Sequence, residues 1–314
     1  MDSKYNKTAL MIVLCVIILL ASVSTGFSKY SKKHYSHHSH QKYSIAKTEQ
    51  ISGNLVLRSA AALVEDQETG KRLIQKQATA ILPIASITKL MTAMVVLDAA
   101  RDLNELITIE TGDIDTLRHS HSRLPVGTQL MRKDVMLIAL MASDNRSAHA
   151  LGRTYPGGTE ACVAAMNAKA RSLGLLETRF EDTTGLSCSN VSSARDLVRL
   201  VDTAYQYDLI REFTTCKKAF INTGWRSLEF NNTNQLVRNS TWQIGLSKTG
   251  FTGEAGRCLV MQANVAQRPV LIVLLDSQGK MTRIGDANRI KRWLEAQSPL
   301  QRTQQRMTIS LAKQ

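Results

Sequence analysis

Three short strings fall in a fixed order along this chain: Ser86-Ile87-Thr88-Lys89, Ser143-Asp144-Asn145 and Lys248-Thr249-Gly250. If they act together, the fold must bring the head of a helix, a connection between helices and a strand from far downstream into one cleft. Each string is weak by itself. Ser-x-x-Lys also occurs at Ser39 to Lys42, Ser44 to Lys47, Ser277 to Lys280 and Ser310 to Lys313, and Ser-x-Asn recurs at Ser52 to Asn54. Only Lys-Thr-Gly is unique. Ser86 is singled out by its place at the start of a breaker-free run rich in Leu, Met, Ala and Val. The decoys fall in a polar linker, a loop and the tail.

The rest of the chain supplies the elements such a cleft needs. Ala61-Ala62-Leu63-Val64 and Arg72-Leu73-Ile74-Gln75 flank Glu68-Thr69-Gly70-Lys71, the pattern of two strands joined by a turn. The run after Pro83 predicts a largely buried helix over 87–99, with Ser86 in its first turn. Helices are expected over 132–141, from a Thr159 cap to a stop at Gly174, and from a Ser193-Ala194-Arg195-Asp196 capping box to Tyr207. Ser143 then sits on a short connection between helices. Strands are expected over 243–248, 257–263 and 270–275, with a closing helix over 286–297. Strands at both ends with helices between them predict an α/β chain of the α+β type, its antiparallel sheet built from segments far apart in sequence.

Both ends lie outside that domain, which is placed at 53–297. Lys4 and Lys7 precede an uncharged apolar run over 9–23 and then small residues, the layout of a signal peptide or N-terminal anchor over 1–26. Residues 27–52 form a basic linker holding four of the seven histidines, read as a solvated spacer. Residues 298–314 read as a basic tail. The formal charge of +14 favours an anionic neighbour such as an envelope polymer. The basic residues are scattered without interleaved aromatics, so nucleic acid is not expected. Beyond Cys15, four cysteines remain (Cys162, Cys188, Cys216, Cys258), an even number that permits two disulfides, although buried free thiols suit Cys162 and Cys258 equally. No metal-ligand cluster occurs, and neither metal nor cofactor is expected.

The chemistry follows from residue types. Attack on an amide carbonyl requires a deprotonated hydroxyl, a base, a proton donor for the leaving amine and a pocket for the oxyanion. Outside the linker only His119, His121 and His149 remain, and no local string offers any of them an acid to complete a triad. A lysine must serve. Lys89, three residues from Ser86 on one helical face, can reach its hydroxyl. Burial and a second ammonium at Lys248 both disfavour the charged form of Lys89, making it the candidate base. Ser143 is the candidate proton relay, and Asn145 the group that orients Lys89 and the substrate backbone. Lys248 and Thr249 are expected to hold an anionic substrate group, and Gly250 to let a substrate lie along the strand. The N–H groups of Ser86 and Phe251 are the candidate oxyanion donors.

The three strings together resemble the serine penicillin-recognising enzymes, the D,D-peptidases and β-lactamases. The likeness sharpens over Pro83 to Ala99, Tyr155-Pro156-Gly157-Gly158, Ala165 to Lys169, Thr184-Gly185-Leu186-Ser187, Lys248 to Thr252, Ala255-Gly256 and Cys258 to Met261. There it is similar to low-molecular-mass penicillin-binding proteins of the D-alanyl-D-alanine carboxypeptidase family, in the endopeptidase branch of the penicillin-binding protein 7 type. This resemblance implies a β-lactamase/transpeptidase-like fold, an antiparallel sheet flanked by helices with a helical subdomain carrying Ser143. It also implies an exported enzyme acting on peptidoglycan peptides through an acyl-enzyme at Ser86, with β-lactams as inhibitors. Arg283 is a further candidate for holding a substrate carboxylate.

Alternatives are a D-alanyl-D-alanine carboxypeptidase, a β-lactamase and a non-catalytic sensor. A class A β-lactamase needs a Glu-x-x-x-Asn string between the second and third motifs, and none of Glu160, Glu177, Glu181, Glu212 and Glu229 has Asn four residues on. A sensor need not keep every catalytic position filled, as this chain does.

Overall fold

The computed structural model describes residues 55–297. The expected leader, linker and tail lie outside the described residues. Among those described, no helix is long and apolar enough to cross a membrane.

The chain opens with β1 (Ser59–Asp66) and β2 (Arg72–Lys76), paired as the expected hairpin. A short β3 (Leu82–Pro83) leads through a single 3-10 turn, Ala85–Ile87, into α1 (Thr88–Asp98). Ser86 therefore stands in the turn ahead of the α-helix, not within its first turn. The segment that follows holds β4 (Leu106–Thr108) and β5 (Gln129–Met131), then α2 (Arg132–Met141), α3 (Asn145–Arg153), α4 (Gly158–Ser172), β6 (Val191–Ser192), α5 (Ala194–Tyr205) and α6 (Asp208–Thr215). A hairpin of β7 (Lys218–Asn222) and β8 (Ser227–Asn231) precedes β9 (Gln243–Thr252), β10 (Gly256–Val265) and β11 (Arg268–Ser277), and α7 (Thr282–Ala296) closes the domain.

The main sheet runs β2-β1-β11-β10-β9, and its neighbouring strands pair antiparallel. First and last strands thus meet: Ala61 faces Leu275 and Val64 faces Ile272. Each central strand buries both faces. Leu271, Val273 and Leu275 join Leu63, Val260 and Cys258 in the core beneath α1 to α6. Their neighbours Ile272 and Leu274 join Val64, Leu259 and Met261 beneath Ala287, Ile290 and Leu294 of α7. That double burial is why 270–275 reads as an unbroken apolar run although the sheet is antiparallel. The α+β architecture expected from the sequence is the one observed.

Two caps differ from expectation. The Ser193 hydroxyl accepts from Asp196 N–H at 3.1 Å, but the Asp196 carboxylate turns to Glu177 N and the Thr178 hydroxyl, so only half a capping box forms. Helix α4 starts from Gly157, at φ +86°, with no side-chain cap, and Thr159 lies inside it.

One buried carboxylate ties the domain's ends together. Asp286, fully buried in α7, accepts from the backbone N–H groups of Arg58 (3.0 Å) and Ser59 (2.7 Å) and from the Ser59 hydroxyl (2.6 Å), and it also meets Arg289. Removing it strands several donors at once. Asp286→Ala is expected to lower stability by about 3 kcal/mol or more, read as a shift in the urea midpoint. An unchanged midpoint would show that the junction is not needed.

Candidate active site

The segment carrying Ser86 is held by close backbone packing. Ala85 adopts φ +47°, a left-handed conformation that a residue with a Cβ takes at a cost of about 1–3 kcal/mol, so its neighbours must impose it. Two glycines do so. A Cβ on Gly185, itself at φ +83°, would lie 2.0 Å from the Ala85 carbonyl oxygen, and one on Gly250 would lie 2.7 Å from the Ile84 carbonyl oxygen. At Gly250 the missing side chain also permits the close approach of the chain's own backbone at 84–86.

Around Ser86 the polar groups interlock. The fully buried Lys89 Nζ lies 2.8 Å from Ser86 Oγ, 2.7 Å from Asn145 Oδ1 and 2.6 Å from the Thr184 carbonyl oxygen. Burial is the largest influence on Lys89 and lowers its pKa to about 8, against the attraction of Asp182, Asp144 and Asp115. The neighbouring Lys248 is shifted in the same direction, well below the ordinary lysine value, through burial, then repulsion from Lys89, then Arg283, and the repulsion between the two lysines is mutual.

The second string has two jobs. Asp144 caps α3, its carboxylate accepting from Ser147 N–H at 2.9 Å and the Ser147 hydroxyl at 3.0 Å. Ser143, just before it, is forced to φ +60° and receives a hydrogen bond from Lys248 Nζ at 2.8 Å. Asn145 projects from the first position of α3 toward Lys89. Lys248 and Thr249 are buried on β9, and the Thr249 hydroxyl is 2.6 Å from that of Thr233. Strand β9 is the sheet's edge. At its end Phe251 is 57% exposed and stacks against the Arg257 guanidinium, 4.3 Å from the ring centre.

Several site groups are not visible as sequence strings. Thr184 contributes only its carbonyl, aimed by Asp182, whose carboxylate gathers the N–H groups of Thr184 (2.6 Å), Gly185 (2.6 Å) and Ser187 (2.7 Å). The Asp-Thr-Thr-Gly sequence at 182–185 is a turn signature from which that cradle could have been read. Thr233 and Ser120 carry no such signal. Arg283 is directed to the strand backbone, donating to the carbonyls of Gly250 (2.9 Å) and Cys258 (3.2 Å). His149 does have an acid, Asp113, 2.7 Å away and distant in sequence. Burial would raise that carboxyl, but hydrogen bonds from His149 and Arg153 dominate and hold it at about 2. The pair is anchored to Arg153. The four cysteines are free, and burial pushes Cys162 and Cys258 up to about 12.

A hydrogen-bond count shows what this arrangement can do. The Thr184 carbonyl only accepts, and so does Asn145 Oδ1 while Asn145 Nδ2 donates to Ser120 Oγ at 2.7 Å. A neutral lysine has two N–H groups and one lone pair. With both N–H groups committed, the lone pair is left facing the Ser86 hydroxyl.

Residues 33–279 match the model of the D-alanyl-D-alanine carboxypeptidase family. The chain belongs to that family. A D-alanyl-D-alanine endopeptidase of Pseudomonas aeruginosa is 50% identical over 76% of this chain and 78% of that protein. One of Escherichia coli is 44% identical over the same shares. A D-alanyl-D-alanine carboxypeptidase of Bacillus subtilis is 29% identical over 71% of this chain and 58% of its own. The crystal structure of a Streptomyces DD-transpeptidase superposes with a TM-score of 0.71 at 26% identity, covering 76% of this chain and 97% of that one. Family membership makes this chain a serine D-alanyl-D-alanine peptidase with the β-lactamase/transpeptidase-like fold that its motifs implied.

Proposed function

We propose that this chain is an exported D,D-peptidase that hydrolyses D-alanyl peptide bonds in peptidoglycan, above all in cross-links, through an acyl-enzyme on Ser86, and that β-lactams acylate the same serine. The observation that carries the reading is the buried lysine whose lone pair is left to Ser86. The substrate lies along the free edge of β9 as an added strand. Lys89 takes the Ser86 proton as Oγ bonds to the carbonyl carbon, and the oxyanion forms between the N–H groups of Ser86 and Phe251. The C–N bond breaks as Ser143 passes a proton to the leaving amine and is itself resupplied from the lysine pair. Lys248 and Thr249 hold an anionic group of the substrate, Asn145 orients its backbone, and water then releases the acyl group.

Preference for cross-links rests on the closer likeness to relatives named endopeptidases. Export rests on the leader pattern over 1–26, and contact with an anionic envelope on the net charge of +14. Purified peptidoglycan incubated with the protein should lose cross-linked muropeptide dimers, by chromatography, while Ser86→Ala leaves them intact. Dimers that persist while monomers lose one D-alanine would establish the carboxypeptidase alternative instead.

A further inference from the structure

The hydrogen-bond count at Lys89 depends on which way the Asn145 amide faces. Rotated by half a turn, the amide would offer Lys89 an N–H in place of an oxygen, and the lysine lone pair would turn to it and away from Ser86. The ammonium form of Lys89 opposes this, but the neutral amine that acts as base does not, and Ser86 does not. What sets the orientation is Ser120, in the loop between β4 and β5, whose Oγ accepts from Asn145 Nδ2 at 2.7 Å.

Ser120 is itself fixed. His119 before it takes φ +55°, a left-handed conformation that turns the chain toward α3. Asp115 gathers the loop, with Oδ1 accepting from the N–H groups of Leu117 and Arg118 (both 2.9 Å) and Oδ2 from Ser120 N–H at 2.8 Å. Burial would raise the Asp115 carboxyl, yet its pKa is lowered, the Ser120 side chain heading the hydrogen bonds responsible. The Asp115 carboxylate draws the Ser120 hydroxyl proton to its own side and leaves the oxygen to accept from Asn145 Nδ2. The polarity of the row from Asp115 through Ser120, Asn145 and Lys89 to Ser86 is thereby set in one direction.

We infer that Ser120, held by Asp115, is a positioning residue: it fixes the Asn145 amide with its oxygen toward Lys89 and so keeps the lysine lone pair on Ser86. This deepens the proposed acyl-enzyme chemistry and rests on it. Ser120 touches neither substrate nor reacting atoms in this role.

The test is the second-order rate of acylation by a fluorescent penicillin, followed across the titration of Lys89, for wild type, Ser120→Ala and Ser120→Thr, with Ser86→Ala as blank. Ser120→Ala should acylate about 10- to 100-fold more slowly at its plateau, since a misdirected base costs rate on that order. Its acid limb should also move to lower pH, because the ammonium form of Lys89 loses a fixed carbonyl oxygen while Asp182, Asp144, Asp115 and Lys248 still act on it. Ser120→Thr, which restores the acceptor, should stay within about threefold of wild type, and thermal midpoints should agree. An Ser120→Ala rate and profile matching wild type would overturn the inference. So would a loss shared by the threonine variant or tracking a fall in midpoint. Absence of labelling in wild type itself would instead overturn the acyl-enzyme reading, and this inference with it.

Discussion

Lys89→Ala is expected to abolish rapid acylation of Ser86, lowering its rate by about 10²–10⁴-fold, the usual contribution of a positioned general base. Lys42→Ala and Lys313→Ala, at the sham Ser-x-x-Lys repeats, should leave it intact. The wild-type rate should also report the base directly. With Lys89 at about 8, roughly a tenth of the molecules carry the neutral amine at pH 7, so acylation should rise nearly tenfold per pH unit below that value and flatten above it. An unburied lysine would keep the rate climbing toward pH 10. Normal labelling of Lys89→Ala by fluorescent penicillin would show that the base lies elsewhere.

Gly185→Ala should be the most disruptive single-methyl change in the domain. The added carbon would sit 2.0 Å from the Ala85 carbonyl oxygen at a backbone angle of φ +83°, so either the loop or the serine segment must move. A stability loss of about 3 kcal/mol or more is expected from strain and overpacking together. A drop of about 100-fold in acylation should accompany it, because displacing Ser86 by a fraction of an ångström misaligns it from Lys89. Gly70→Ala is the control: its φ is +66°, but nothing lies within 4 Å, so it should cost only about 1 kcal/mol and no activity. If the two variants melt and acylate alike, the clamp on Ala85 has no mechanical role.

How much of this was legible beforehand depends on what carried each contact. Ser86, Lys89, Ser143, Asn145 and Lys248 were visible because their side chains act, and side chains are what a sequence spells out. The three-residue spacing of Ser86 and Lys89 brings them together even though Ser86 precedes the α-helix. Thr184 was not legible, because it acts through a carbonyl whose direction is set by Asp182. Neither were the left-handed conformations of Ala85 and Ser143, which residues with a Cβ do not announce. The Asp113 partner of His149 was hidden by sequence distance, and the depth at which the two lysines are buried required the fold. The β7–β8 hairpin and α6 escaped because they are short, with too few residues to establish a period.

The last strand to be made, β11, occupies the middle of the sheet, between β1 and β10. A growing chain therefore exposes β1 without its neighbour until nearly all of the domain has been synthesised, and contacts so remote in sequence form late and slowly. No shortened product ending before residue 268 could assemble the crevice. A wall-cutting hydrolase built this way remains inert until its central strand has been made.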